Sequence, residues 1–329
     1  RSSPVTRNYD EFWQVMSDNS CFAIVSHRRM DGDAVGSMVA LADVLYAMGK
    51  DVLLVNDDNV PEIYRFLTHT EKFVKPSEVA DAYEVVAVLD TGSREQLGGS
   101  ARLLAGASTV VHVDHHLEGE PLGDVSIIDS GASAVGEMLF EIFSHAGIEI
   151  SQQAATALYV ALATDTGSFK FANTRARTHQ VAAELISLGA NPAAISDRVF
   201  DRKKFSTLKL TAAVLETLEL RFDGQVASLV VTDKMIVESG AKPEETDGLV
   251  NLAKSVEGTR LALMFREDDR GRTKVSFRSD GSVQVQELAA RFDGGGHAMA
   301  AGCTVDAGMQ EARQQVFKTV SEVIGAARQ

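Results

Sequence analysis

The chain has 329 residues, 46 acidic against 32 basic, a formal net charge of −14, and 45% hydrophobic and 24% charged side chains. That composition is ordinary for a globular protein long enough to build two domains, and its acidity argues against coating long nucleic acid by backbone neutralisation. No apolar run approaches the ~20 residues of a membrane span, Arg1-Ser2-Ser3-Pro4 lacks the apolar core of a signal peptide, and Cys21 and Cys303 are too far apart for a thiolate zinc site. A cytoplasmic protein without membrane contact is therefore expected.

In chain order, residues 9–16 predict a short amphipathic helix and residues 21–26 a strand. His27-Arg28-Arg29-Met30-Asp31-Gly32-Asp33 breaks the apolar run, after which Val35, Met38, Val39, Ala42, Leu45 and Met48 recur at helical spacing as far as Gly49. Strands are expected at 51–55, 85–89, 110–113 and 125–128, with a helix over 135–143. This alternation predicts βαβ units in an α/β, mostly parallel, doubly wound sheet. Helices at 154–163 and 176–187 follow, and Asn191-Pro192 opens a polar helical stretch, 191–205, read as a linker. Beyond it the order changes to a helix at 206–218, strands at 225–231, 261–266 and 274–278, and helices near 244–255, 285–292 and 309–324. That pattern predicts a smaller mixed α/β domain, so the chain divides into 1–190, the linker and 206–329.

Val110-Val111-His112-Val113-Asp114-His115-His116 is a buried strand that delivers metal-competent side chains where it must stop. Apolar runs also end just before His27, Asp90 and Asp165. If the strands share one parallel sheet, their carboxyl ends share the edge at which ligands of open α/β sheets bind. His115 and His116 are expected on opposite sides of an extended backbone, one toward metal and one toward substrate or a supporting partner. His27, Asp31 and Asp33 offer imidazole and carboxylate without thiolate, a set suited to Mn, Fe, Co or Mg. Taken singly, each acid has a plainer reading: Asp33 as a helix cap, Asp90 as an Asx-turn residue, Asp165 as a polar helix end. Together His27, Asp31, Asp33, Asp90, His115 and Asp165 supply two imidazoles and four carboxylates. That set suits a pair of metal ions ~3.5–4 Å apart that share a carboxylate and activate water for phosphoester hydrolysis.

A second constellation is Gly294-Gly295-Gly296-His297-Ala298-Met299-Ala300-Ala301-Gly302, where the missing Cβ atoms would let backbone N–H groups approach an anion and His297 would add a donor. A flexible surface loop beside a bystander histidine is the plainer reading. Arg278, at a strand end, offers a bidentate phosphate contact or is simply solvated.

These motifs, with Asp31-Gly32-Asp33-Ala34-x-Gly36-Ser37, Leu89-Asp90-Thr91, Asp114-His115-His116 and Thr164-Asp165-Thr166-Gly167-x-Phe169, together resemble the DHH phosphoesterases with the associated C-terminal DHH-linked domain. The match runs in order from about residue 20 to 305, and the chain looks most like the nano-RNase type, oligoribonuclease and 3′-phosphoadenosine 5′-phosphate phosphatase. The resemblance implies a metal-binding catalytic domain over 1–190 and a substrate-binding domain over 206–329 across a cleft. It implies two divalent ions, manganese first with magnesium or cobalt as alternatives. His27 and Asp31 would hold one ion, Asp33, His115 and Asp165 the other, and Asp90 would bridge them. His116 would contact the scissile phosphate with Asp114 orienting imidazole, while Arg278, Ser279, Gly294, Gly295, Gly296 and His297 would hold the nucleotide.

Expected substrates are short oligoribonucleotides, cut to mononucleotides, and 3′-phosphoadenosine 5′-phosphate, cut to AMP. The sequence leaves monomer and homodimer both open. Two stretches depart from the family pattern: Arg28-Arg29-Met30 stands where relatives carry Asn-Pro, and Asp293 where they often carry glycine. An alternative with the same chemistry is a cyclic or linear dinucleotide phosphodiesterase, since specificity lies in pocket shape. From a different class, a catalytically weak nucleotide sensor is opposed by the presence of all six expected ligands.

Overall fold

The structure, a computed structural model, describes residues 8–80, 82–116, 120–268 and 270–326; the reading of Arg1-Ser2-Ser3-Pro4 lies outside them. The chain divides after Arg202 into two units. In the first, β1 (Cys21–Val25), β2 (Asp51–Val55), β3 (Phe73–Val74), β4 (Tyr83–Leu89), β5 (Ala107–Asp114) and β6 (Val125–Ile128) pair in the order β3-β2-β1-β4-β5-β6, every neighbour parallel. The first strands spread to one side of β1 and the later ones to the other, so the order reverses between β1 and β4. At such a point the connections leave in opposite directions and open a crevice at the carboxyl ends.

The strands are near-continuous apolar runs because both faces of the sheet are covered. Phe22, Ile24, Val85, Ala87, Leu89, Val111 and Val113 face a core shared with α1 (Tyr9–Asp18), α2 (Gly32–Ala47), and, beyond the short α3 (Leu103–Gly106), α4 (Val135–His145), α5 (Gln152–Asp165) and α6 (Ala176–Ser187). The alternate residues Ala23, Val25, Val86, Val88 and Val110 pack on Leu97 and Leu103 at the opposite face. Gly36 sits on α2 where a Cβ would lie 2.4 Å from the Ala157 carbonyl oxygen, and Gly136 where one would lie 2.5 Å from Ala161 Cβ, so small residues let α2 and α4 press onto α5. In the stretch expected as a linker, α7 (Pro192–Ser196) buries Ile195 in this core and Val199 and Phe200 pack on it, so those residues are built into the first unit.

The second unit is a mixed sheet: β7 (Glu219–Arg221), β8 (Val226–Val231), β9 (Leu261–Glu267), β10 (Thr273–Ser279), β11 (Gly295–His297) and β12 (Ala300–Val305), in the order β11-β12-β10-β9-β8-β7. Only β8 and β9 run parallel. One face packs on α8 (Phe205–Leu215), α9 (Asp233–Ser239) and α10 (Val250–Lys254), the other on α11 (Val285–Ala290) and α12 (Met309–Ala326). The single helix expected near 244–255 is a short turn, Pro243–Thr246, followed by α10, because Gly248 between them has φ +82°. No described helix is long and apolar enough to cross a membrane.

Candidate metal centre

All six residues expected as metal ligands meet at the crevice between β1 and β4. His27 follows β1, and Asn56, just past β2, donates from Nδ2 to the Ser26 (3.2 Å) and His27 (3.0 Å) carbonyls, which fixes the imidazole's main chain. The loop that follows turns through Arg29 at φ +56°, its N–H donating to Asp58 Oδ2, and buries Met30. Asp31, not Asp33, caps α2, accepting from Ala34 N–H at 3.0 Å. Gly32 brings the first turn of α2 against Thr164 of α5, where a Cβ would lie 2.4 Å from the Thr164 side chain, so Asp31, Asp33 and Asp165 converge.

Asp33 is fully buried and does cap a helix, though α4 rather than its own: its oxygens accept from Val135 N–H (2.6 Å) and Gly136 N–H (2.9 Å), and from Ser37 Oγ (2.9 Å). Asp90 stands at the end of β4 with φ +54° and is buried; no described residue shows its carboxylate closing a turn on its own backbone. Instead its two oxygens divide, Oδ2 lying 3.5 Å from His27 Nε2 and Oδ1 3.6 Å from His115 Nε2. His115 Nε2 is also 3.6 Å from Asp165 Oδ2 and 3.8 Å from Asp33 Oδ2, and His27 Nε2 is 3.8 Å from Asp31 Oδ1.

Two candidate metal-binding clusters follow, His27–Asp31–Asp90 and Asp33–His115–Asp165, with donor atoms in each within 4.8 Å of one another; Asp90 also groups with His115 and His116. The donor chemistry fits divalent cations. His27 Nδ1 donates to the Arg28 carbonyl (2.7 Å) and His115 Nδ1 to that of Ala132 (3.4 Å), and a carbonyl can only accept, so each ring turns its Nε2 lone pair toward the carboxylates. Among the described residues no lysine or arginine pairs with Asp31, Asp33, Asp90 or Asp165, which leaves this concentration of negative charge for a cation to balance.

The acidities show the same strain. Burial, then the charges of Asp90, Asp165 and Asp31, push Asp33 well above the usual carboxylate range. Burial raises Asp165 to about 6, with Asp90 and Asp31 adding to it and His115 opposing. Burial alone would depress His27, but its bonds to Asp31 and Asp90 lift it to about 10. A proton held between carboxylates occupies the place a metal ion would take.

His115 and His116 do not point to opposite sides. The strand ends at Asp114, the extended geometry ends with it, and both rings turn toward Asp90 with centroids 5.0 Å apart. Asp114, fully buried, holds His116 by an Nδ1–H···Oδ1 bond of 2.7 Å that, against partial burial, raises the imidazole to about 9; His116 itself is exposed.

Three supporting residues went unforeseen: Asn56, His112 and Asn173. His112, inside β5, accepts from Leu122 N–H and donates to the Thr91 carbonyl (3.0 Å), tying the loop after Asp90 to the neighbouring strand. Asn173 donates to the carbonyls of Asp165 and Ser133, both at 3.1 Å. A lone histidine in an apolar strand was visible as a signal for the second; nothing local marks the third.

In the second unit the glycine run is not a loop. Gly295–His297 forms β11, an edge strand, and each glycine has its own reason. A Cβ on Gly294 would lie 2.4 Å from the Gly302 oxygen, Gly296 has φ +140°, and Gly295 alone faces open space. The register sets Arg278 opposite Ala300 and Ala300 opposite His297, so the three positions share one face across two strand spacings, while the Arg278 guanidinium turns back to donate from Nη1 to the Phe277 carbonyl at 2.9 Å. Ser279 Oγ accepts from Gly281 and Val283 N–H, which leaves its hydroxyl proton free to donate.

Residues 21–162 match the DHH family, N-terminal domain, and residues 223–326 the DHHA1 domain. The chain is 33% identical over 300 residues to the bifunctional oligoribonuclease and PAP phosphatase NrnA of Thermus thermophilus, covering 91% of this chain and 89% of that protein. It is 29% identical over 295 residues to the Bacillus subtilis protein of the same name, covering 86% and 89%. A crystal structure of an exopolyphosphatase-related protein from Bacteroides fragilis shares the fold, with a TM-score of 0.89 at 24% identity over 98% of this chain and 97% of that one. Both domain types in order, and likeness at this level along nearly the whole of both sequences, place the chain in the DHH/DHHA1 superfamily of metal-dependent phosphoesterases, as a member of its NrnA-type family.

Proposed function

We propose that this chain hydrolyses short oligoribonucleotides to mononucleotides and 3′-phosphoadenosine 5′-phosphate to AMP, using two divalent ions, manganese first. The observation that carries the reading is the division of Asp90, whose two carboxylate oxygens face two different imidazole-bearing clusters. The relatives named for these two activities, similar over nearly their full lengths, support the substrate assignment. In this reading His27 and Asp31 hold one ion, Asp33, His115 and Asp165 the other, and Asp90 both. Such ions supply Lewis-acid charge that activates water and polarises the phosphoryl group. His116, held through its Nδ1–H bond to Asp114, donates to the scissile phosphate. Arg278, Ser279, His297 and the backbone of Gly295 and Gly296 hold the rest of the nucleotide, while the Gly294 N–H, expected to help, donates instead to the Ala289 carbonyl at 2.9 Å.

The test is one panel of substrates, dinucleotide RNA, 3′-phosphoadenosine 5′-phosphate, cyclic di-AMP and pyrophosphate, each with manganese and after chelation. Hydrolysis of the first two, lost on chelation, is expected. Tight nucleotide binding with no hydrolysis of any would leave a sensor, and cleavage of the cyclic compound alone a cyclic dinucleotide phosphodiesterase.

A further inference from the structure

The segment that follows Asp165 is built to hold one aromatic ring in the open. Gly167, Ser168 and Phe169 are three consecutive residues with left-handed φ, +56°, +60° and +64°. This coil is closed on Thr166, whose carbonyl accepts from Lys170 N–H (2.9 Å) and Phe171 N–H (3.0 Å) and whose Oγ1 accepts from Phe169 N–H (3.0 Å). At its far end Thr174 N–H donates to the Phe171 carbonyl, and Asn173 reaches back to the Asp165 carbonyl. The two phenylalanines part company. Phe169 packs inward, edge-on to Tyr159 and stacked on His179 at 5.3 Å. Phe171 lies across Gly167, where a Cβ would come within 2.3 Å of the ring, and remains 59% exposed. Lys170 beside it is exposed and has no ion-pair partner among the described residues.

An exposed phenylalanine on a mobile loop would call for no explanation. This one is closed on Thr166 at one end and tied at the other, through Asn173, to Asp165 of the candidate metal centre, carries a cation on its neighbour, and presents a flat apolar face. Aromatic side chains beside cationic groups are the usual means of holding single-stranded nucleotides, because every base has a π-face to stack. We propose that Phe171 is a stacking platform for a nucleobase of the substrate, seated next to the phosphate held at the metal centre. The inference rests on the nucleotide reading above and adds to it a residue that selects nucleotides over other phosphoesters. No base-specific hydrogen bond is involved, so purines and pyrimidines are both accepted.

The test compares wild type with Phe171→Ala, Phe171→Leu and Phe171→Trp, each loaded with manganese. Equilibrium binding of AMP and of ribose 5-phosphate is measured alongside the KM for dinucleotide RNA. AMP affinity is expected to fall on the order of tenfold in the alanine and leucine variants and to be kept in the tryptophan variant. The KM should rise in parallel with a smaller change in kcat, and ribose 5-phosphate should bind alike to all four proteins. Trp13 is the chain's single tryptophan and is buried, so the Phe171→Trp protein should also gain an emission band that AMP quenches and ribose 5-phosphate does not. Unchanged AMP affinity in Phe171→Ala, or equal losses for AMP and ribose 5-phosphate, would overturn the stacking role while leaving a dinucleotide-hydrolysing wild type intact. A wild type that neither binds AMP nor cleaves dinucleotides would instead remove the nucleotide reading, and the platform with it.

Discussion

The two sheets each have six strands and treat their polar residues in opposite ways. In the first unit every strand runs the same way, so side chains separated by tens of positions, His27, Asp90 and His115, are delivered to one edge and there touch. In the second, all neighbours but β8 and β9 run antiparallel, and the candidate substrate groups are spread along a face: Arg278 and His297 stand two strands apart, joined by register rather than contact. Parallel topology concentrates charge, which a small cation can balance. A mixed sheet lays out a surface, which an extended ligand can span. The division suits chemistry in the first unit and recognition in the second.

The sharpest way to break that division is to remove one group from each. Asp90→Ala removes the carboxylate whose two oxygens face His27 and His115, and turnover should fall on the order of 10³-fold or more, the scale of losing a principal electrostatic element of a site. Arg278→Ala should act chiefly on substrate affinity, raising KM on the order of tenfold, as expected for a charge-assisted hydrogen bond. Steady-state kinetics on dinucleotide RNA decides it: comparable kcat losses with unchanged KM in both variants would contradict the separation of roles.

Metal removal sharpens the contrast further, because its pH dependence belongs to the first unit alone. Without metal, His27 has its pKa raised to about 10, so the stability it contributes is fully present below its unfolded value near 6.5 and is lost as pH rises toward 10. Asp165, raised to about 6, favours the fold while protonated and ceases to do so as pH climbs from about 4 to 6. The metal-free protein should therefore become less stable with rising pH. Manganese must displace the same protons, so its binding should tighten over that range and release protons, and the metal-induced gain in melting temperature should widen. Calorimetric titration in buffers of different ionisation enthalpy would count those protons; none released near pH 6 would show that the carboxylates and imidazoles are not the ligands.

The metal centre was legible in sequence because strand ends obey a topological rule that does not depend on detail. Three strand-like runs ending in acid or imidazole suffice to place His27, Asp90 and His115 together once the sheet is parallel, and Asp165 joins them from the end of α5, where Gly32 brings α2 against Thr164. What escaped was conformation at the points where regular structure stops. Strand geometry would put His115 and His116 on opposite faces, but the strand ends at Asp114, before either. Local pattern makes Asp33 a cap for its own helix, whereas it serves α4, more than a hundred residues away, a contact no local pattern encodes. β12 carries Ala300-Ala301-Gly302-Cys303, too small in side chain to show alternation, and β7 has three residues; neither announces a strand. Asn173 meets Asp165 only because the chain between them coils left-handed.

The smallest expected effects concern glycine, and they bear on the same comparison. Gly36 lets two helices of the first unit touch: alanine there would set its Cβ 2.4 Å from the backbone oxygen of Ala157, which cannot yield as a side-chain tip can. Overpacking of this kind costs about 1–3 kcal/mol, and Gly294→Ala, crowding Gly302 and Cys303, should cost a similar amount. Gly295→Ala meets nothing within 4 Å, and its stability change should stay within about 0.5 kcal/mol. Denaturant midpoints for the three variants test that order. Gly295 is then the one position in the glycine run where a missing Cβ has no packing purpose. If Gly295→Ala keeps its stability but weakens binding of AMP, the open space there is for ligand; if both are unchanged, the run serves the hairpin alone, and recognition in the second unit falls to Arg278 and His297.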